Sequence, residues 1–285
     1  MNASTSITVA QALAQAAAQG VARIDAQMLL LHLCSQPTHS RAWLITHDGD
    51  ALTAEQTAQW QQLLQRRAGG EPVAYLTGHK GFYGLNLAVD ARVLDPRPDT
   101  ETLVDWALEL LPGNGESLPQ LRLADLGTGS GAIALALQHE RPAAEVWAVD
   151  ASLDALAVAK ANAARLQLPV HFAHSHWLSA LQGDFDAIVT NPPYIRDDDP
   201  HMPALRHEPR QALTSGADGL DDIRHIVGTA PQYLRSGGWL LIEHGWDQAC
   251  DVRALLAARG FAQVQSRKDL AGIERASGGQ WTSVK

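Results

Sequence analysis

Cysteine is almost absent from this chain: Cys34 and Cys250 are the only two in 285 residues, far apart and without the short spacing of metal ligands. A disulfide is therefore not expected, and no metal ligand set is assigned. No apolar run is long enough to span a bilayer. The opening stretch, "MNASTSITVAQALAQ", lacks the basic start and small-residue cleavage site of a secretory leader. These absences set the expectation of a cytoplasmic chain without membrane association. Blocks of like charge, low-complexity tracts and internal repeats are missing as well.

Positive charge is also scarce. Lys and Arg total 22 against 31 Asp and Glu, a formal net charge of −9. Residues 1–80 balance Asp25, Asp48, Asp50, Glu55 and Glu71 against Arg23, Arg41, Arg66, Arg67 and Lys80, so the whole deficit falls after residue 80. An acidic body lacks the clustered Lys and Arg that grip nucleic acid, and no direct nucleic-acid binding is expected. Its field would attract a small basic protein partner.

What is present reads as a soluble α/β chain, 46% hydrophobic and 19% charged. The first eighty residues carry helix signals and no strand pattern. Thr8 can cap "VAQALAQAAAQ", which stops at Gly20; "ARIDAQMLLLHLCSQ" places Ile24, Met28 and Leu31 at helical spacing. Ser40 precedes "RAWLITH", and Thr53 with Gln56 forms a capping box before "AEQTAQWQQLLQRR". From "EPVAYLTGHKGFYGLNLAVD" the period changes, and residues 81–96 are expected to form a β-hairpin connector. Beyond it strands alternate with helices: "LRLADLG", "EVWAVD", "VHFAHS", "FDAIVTN", "GGWLLIEHG" and "FAQVQSRKDL" read as strands, with helical segments between most of them. That alternation implies a mainly parallel sheet covered on both faces. The expected organisation is a helical domain over 1–80, the connector, and a catalytic domain over 97–285.

The first body strand runs into "DLGTGSG", where Gly127, Gly129 and Gly131 allow the backbone to approach a ligand closely. The next strand ends in Asp150, placed to accept hydrogen bonds from ribose hydroxyls. A dinucleotide site usually spaces its glycines G-x-G-x-x-G, whereas these are G-x-G-x-G. Asp125 beside the loop would repel a pyrophosphate and suits a ligand bearing an ammonium group. S-adenosylmethionine carries both an ammonium and a sulfonium, so electrostatics favours the methyl donor.

"NPPY" closes the strand "FDAIVTN", whose carboxyl end is where ligands sit in open α/β sheets. Two prolines exclude helix and central strand and contribute no N–H donor. The Asn191 side-chain oxygen and the Pro192 carbonyl are acceptors that can fix a planar NH2 group, with Tyr194 stacking beside it. Hydrogen bonds from such an NH2 stabilise the positive charge that develops when its nitrogen attacks a methyl group. The acidic "RDDDP" that follows suits a basic protein loop.

In this order "EPVAYLTGHKGFYGL", "DPRPDTETLV", "HWLSAL", "NPPYI", "EPRQAL" and "LIEHGWDQ" resemble the bacterial release-factor glutamine methyltransferase family over almost the full length. The resemblance implies a Rossmann-like class I methyltransferase sheet of seven strands, the last antiparallel, with a small all-helical N-terminal domain that helps hold the substrate. It implies S-adenosylmethionine as cofactor, bound by Gly127, Thr128, Gly129, Ser130, Gly131, Asp150, Trp177 and Asn191. Asn191, Pro192, Pro193 and Tyr194 would receive the glutamine of the Gly-Gly-Gln loop in class-one peptide-chain release factors. Asn191, Pro192 and Tyr194 would be catalytic, methylating the amide N5. Arg97 to Glu101 would lie near the methionine end of the cofactor, and Asp95, where the family often has an apolar residue, is not expected to matter. A ribosomal-protein glutamine or an exocyclic amino group of a nucleic acid remain as alternative substrates, and a monomer is the default. "SGGQW", residues 277–281, contains a Gly-Gly-Gln of its own, read as a coincidence in a terminal hairpin.

Overall fold

The computed structural model describes residues 6–111 and 120–282, so the ends of the expected 1–80 and 97–285 domains include residues outside the described range. The chain divides into two compact units, Met1–His79 and Lys80–Lys285. Among the described residues no helix is long and apolar enough to cross a membrane.

The first unit is helical: α1 (Val9–Ala18), α2 (Arg23–Leu33), α3 (Arg41–Thr46), α4 (Ala54–Ala68) and α5 (Val73–Thr77). Capping boxes start α1 and α4, each with a Thr hydroxyl accepting from the N3 amide and a Gln side chain reaching back. Val9, Ala12, Ala16, Leu29, Leu30, Leu31, Trp60 and Leu64 form its core. The face expected for α2 is rotated in the structure: Ile24 is 48% exposed, while Ala26 and Leu29 to Leu31 are buried. Four consecutive apolar positions from Met28 hide the period, and packing selects the face. The short α5 was not anticipated; Pro72 starts it and Gly78, in the left-handed region, ends it.

A hairpin, β1 (His79–Phe82) and β2 (Leu85–Ala88), starts at the last residue of the first unit and leads into the second. Tyr83 and Gly84 both have positive φ, as a two-residue turn matching strand twist requires. There follow α6 (Glu101–Leu110), β3 (Arg122–Leu126), α7 (Ala132–Glu140), β4 (Glu145–Asp150), α8 (Leu153–Leu166), β5 (Val170–His174) and β6 (Phe185–Thr190). The chain ends with α9 (Asp221–Thr229), β7 (Leu234–Glu243), α10 (Ala249–Arg259), β8 (Ala262–Lys268) and β9 (Glu274–Gln280). The seven-stranded sheet has the order β5-β4-β3-β6-β7-β9-β8. All pairings are parallel except those of β9, antiparallel to both neighbours. The expected class I sheet with an antiparallel last strand is therefore observed.

Alternation along the strands divides the core. Ala124, Leu126, Ile188, Leu240 and Ile242 point to the face covered by α9 and α10 through Ile223, Ile226, Val252 and Leu256. Trp106 of α6 lies on the other face, against Leu241. The hairpin is tied down by Asn162 of α8, which is fully buried. Its Oδ1 accepts from the Ala88 amide at 2.7 Å, and its Nδ2 donates to the carbonyls of Ala88 and Ser130 at 2.9 and 3.0 Å.

Candidate functional site

The order in which strands are added switches side at β3, with β4 then β5 laid down on one side and β6 then β7 on the other. A ligand crevice forms at such a point, at the carboxyl ends of the strands. Register brings the ends together: Leu126 pairs with Val149 and with Thr190, and Thr190 pairs with Ile242. Gly127, Asp150, Asn191 and Glu243 therefore leave neighbouring strands side by side. Thr190 stitches two of them by donating its hydroxyl to the Leu126 carbonyl at 2.7 Å.

Gly127, Gly129 and Gly131 have φ of 69°, 55° and 86°, values that glycine adopts without strain. A Cβ on Gly127 would lie 3.3 Å from Trp177, and one on Gly131 would lie 3.0 Å from Leu135. The Thr128 amide donates to Val149, and its hydroxyl donates to Asp125 at 2.6 Å. Asp125 also accepts from the Ala134 amide at 3.1 Å and is completely buried. Burial pushes its carboxyl up to about 7, against these two hydrogen bonds. This corrects the sequence-based expectation: Asp125 does not face a ligand ammonium but braces the turn from inside.

Asp150 accepts from the Gly129 amide at 2.9 Å and the Ser152 amide at 2.8 Å. Burial raises its pKa, and these amides work in the opposite sense. Trp177 has φ of 51°, a strained value for a bulky residue. Its indole N–H donates to Asp222 at 3.2 Å, and Asp222 is held in turn by the Ser215 hydroxyl at 2.7 Å. These groups surround a cavity of about 280 Å³, lined by Gly127, Gly129, Asp150, Trp177, Asn191 and Pro193 among others.

A second cavity, of about 190 Å³, is lined by Arg97, Asn191, Pro192, Tyr194 and Leu213. Leu94, Asn191 and Ala212 line both. The "NPPY" segment is pinned from behind: the Tyr194 and Ile195 amides donate to Leu213, and the Tyr194 carbonyl accepts from Gln248 at 3.0 Å. Gly219 permits the approach, since its Cβ would lie 2.2 Å from that carbonyl. Asn191 Nδ2 donates to the Thr100 hydroxyl at 3.2 Å, which leaves Oδ1 for the cavities. Burial, with Glu243 nearby, holds the Tyr194 phenol above its ordinary pKa, so it stays protonated.

Of the residues expected to bind a cofactor, Gly127, Gly129, Asp150, Trp177 and Asn191 line the first cavity. Thr128, Ser130 and Gly131 do not; they are buried and shape the turn. Pro192 and Tyr194 line the second cavity, while Pro193 faces the first. Sequence reasoning gave no role to Asp222, Gln211 and Glu243, and placed Thr100 only within the segment Arg97 to Glu101. Glu243 ends an apolar strand as Asp150 does, and that position was the available signal.

Asp95, expected to be idle, is 7% exposed and belongs to a charge cluster. Lys80 lies 2.9 Å from it, and Arg97, which donates to Glu208 at 2.6 Å, lies 3.8 Å away. The cluster ties the segment before α6 to "EPRQAL". The chain's own Gly-Gly-Gln is fixed within β9 between β7 and β8. A Cβ on Gly278 would lie 2.6 Å from Leu241, 2.7 Å from the Leu240 carbonyl and 2.8 Å from Trp106. The Gln280 amide is engaged by Gly237 and Gln263. Close packing of β9 accounts for both glycines.

Residues 101–264 match the family model of the methyltransferase small domain, and residues 7–78 that of the PrmC N-terminal domain. The release factor glutamine methyltransferase of Xylella fastidiosa (strain Temecula1) is 48% identical over 273 residues, covering 94% of this chain and 97% of its own. That of Bordetella pertussis (strain Tohama I) is 49% identical over 264 residues, covering 91% and 95%. Among solved structures, a methyltransferase from Pyrococcus furiosus aligns with a TM-score of 0.54 at 17% identity, covering 72% of this chain and 92% of that one. The T. thermophilus 16S rRNA N2 G1207 methyltransferase, in complex with AdoMet and guanosine, aligns with a TM-score of 0.53 at 22% identity, covering 71% and 49%. At these identities the likeness to solved structures concerns the fold.

Proposed function

Because the chain belongs to the release factor glutamine methyltransferase family and is thus a protein-glutamine methyltransferase, we propose that its two adjoining cavities receive S-adenosylmethionine and a glutamine side chain, with Asn191 between them. The observation that carries this reading is that Asn191 lines both cavities with its Nδ2 already engaged by Thr100.

The first cavity fits the cofactor. Gly127 and Gly129 present bare backbone, Asp150 offers a carboxylate to ribose hydroxyls, and Trp177 gives a flat surface for adenine beside His176. Val93, Leu94 and Pro193 supply apolar contact. When bound, S-adenosylmethionine supplies a methyl carbon made electrophilic by its sulfonium. Thr128, Ser130 and Gly131 serve binding indirectly, by holding the turn.

The second cavity takes the amide. Asn191 Oδ1 and the Pro192 carbonyl accept its two hydrogens and stabilise the charge that grows on nitrogen during alkylation. Tyr194 packs beside the planar group, and holding nitrogen in line supplies much of the remaining acceleration. No strong base is needed beforehand, because the proton leaves after nitrogen is alkylated. The proposed substrate is the glutamine of the Gly-Gly-Gln loop in class-one release factors, methylated on N5. The helical unit would contribute to holding the factor, and the acidic Asp197 to Asp199 suit a basic loop.

The test mixes the enzyme, S-adenosylmethionine and a class-one release factor and maps the digest by mass spectrometry. One added methyl on the Gly-Gly-Gln glutamine is expected. Asn191→Ala should lower transfer by about 10²–10³-fold while cofactor affinity survives. Methylation of a ribosomal-protein glutamine instead would replace the substrate assignment, and full turnover by Asn191→Ala would refute the mechanism.

A further inference from the structure

Asn191 serves as an acceptor only if its amide is held the right way round. Turned by 180°, it would offer Nδ2 to the substrate NH2, donor against donor. What selects the orientation lies behind it. Nδ2 donates to Thr100, which is buried, and a hydroxyl has a single hydrogen to give. If that hydrogen goes to Asn191, the amide must turn Oδ1 inward. If it goes elsewhere, Oδ1 stays in the cavity.

The second partner of Thr100 is Glu243. It ends β7 next to Asn191, because Thr190 pairs with Ile242, and it is 2% exposed. The hydroxyls of Thr100 and Tyr194 hydrogen-bond to its carboxyl, which also feels the charges of the Asp99 carboxylate and the Arg275 guanidinium. Arg275 is shared, lying 2.9 Å from Asp269 and 3.6 Å from Asp99. Oε2 of Glu243 has no hydrogen-bond partner of its own. An ionised carboxylate only accepts, so it takes the Thr100 hydrogen and leaves the Thr100 lone pairs for Asn191 Nδ2. A protonated carboxyl can donate to Thr100 and reverse the whole chain.

We propose that Glu243, acting through Thr100, sets the polarity of Asn191, and that protonation of Glu243 releases the amide to turn away from its productive orientation. The proposal rests on the reading of Asn191 as the substrate acceptor. Thr100 and Glu243 are positioning residues, since they act on Asn191 from behind. Burial pushes the Glu243 carboxyl up to about 7, against the hydrogen bonds from Thr100 and Tyr194 and with Asp99 adding to the rise. The polarity change therefore falls near neutral pH.

Methyl transfer to a Gly-Gly-Gln release factor at saturating S-adenosylmethionine is followed from acid to alkaline pH. The wild type should show an acid limb in kcat with its midpoint near the pKa of about 7. Glu243→Gln, which can donate as well as accept at any pH, should run about tenfold slower and lose the limb. Thr100→Val should fall about a hundredfold and Thr100→Ser should recover to within about threefold of wild type, with cofactor affinity unchanged in both. An unchanged limb in Glu243→Gln, or full activity in Thr100→Val, overturns the relay.

A second readout needs no substrate. In the 15N-labelled free enzyme the Asn191 side-chain amide should titrate with the same midpoint, and Glu243→Gln should abolish that titration. If the substrate assignment fails, the wild type transfers no methyl at any pH while the amide still titrates. An Asn191 amide that ignores pH refutes the relay whatever the substrate.

Discussion

Replacing Gly278 with alanine would add one methyl group where β9 lies between β7 and β8. Its Cβ would lie 2.6 Å from Leu241 Cδ2, 2.8 Å from Trp106 Cη2 and 2.7 Å from the Leu240 carbonyl oxygen. The leucine tip can move, but the carbonyl cannot shift without disturbing the β7–β9 ladder, in which Leu241 pairs with Gly278 and Leu240 with Gly279. Extra atoms in a packed core cost about 1–3 kcal/mol, and three simultaneous contacts put this site near 3 kcal/mol. At roughly 2–4 °C per kcal/mol, the melting temperature should fall by about 6–12 °C. Thermal unfolding followed by circular dichroism measures this, with Gly81→Ala as the control. That position has open space around its Cβ, so the control should melt no lower than wild type. Below both transitions, S-adenosylmethionine affinity should be unaltered in Gly278→Ala. A melting temperature within about 2 °C of wild type would show that close packing does not explain these glycines.

Two further outcomes follow from groups around the turn. The Asp125 carboxyl is raised from 3.8 to about 7 in the folded state, so the fold binds a proton more tightly than the unfolded chain does. That stabilisation is complete below the unfolded pKa and is lost as pH rises through the folded one. Relative to wild type, Asp125→Asn should therefore gain roughly 1 kcal/mol per pH unit between those two values. Urea denaturation across that window measures it, and parallel curves would refute the assignment. Trp177→Phe removes the indole N–H that Asp222 accepts at 3.2 Å. Cofactor affinity by calorimetry should drop about tenfold, the worth of a hydrogen bond to a charged group; undiminished affinity would remove Trp177 from the site.

Local chemistry made much of the fold legible. The Thr8 and Thr53 caps, the strand–helix alternation and the glycine turn each follow from short-range rules, and each is found in the structure. The face of α2 was misjudged because Met28 to Leu31 are all apolar and only tertiary packing could choose among them. In the site, strand-end residues such as Asp150 and Asn191 stand out because polar groups there terminate apolar runs. Glu243 escaped notice, and Thr100 was placed only as part of Arg97 to Glu101, because the two meet across more than a hundred residues, which no local pattern records. Asp95, a departure from the family's apolar residue that was not expected to matter, instead pairs with Lys80 and lies beside Arg97. Asp125 was misplaced for a different reason: its position beside the loop was readable, but the direction of its side chain depends on which sheet face the strand presents.

Asn162 places the hairpin and the glycine turn under a single constraint. One buried carboxamide satisfies both backbone groups of Ala88 and the carbonyl of Ser130. Withdrawing β2 from Asn162 strips partners from the same amide that anchors the glycine turn at Ser130. The two segments therefore belong to one cooperative unit of local unfolding. Rigidity gained at the turn is passed to a hairpin whose Phe82, Leu85 and Leu87 are buried, and strain applied to the hairpin is felt at the glycine backbone.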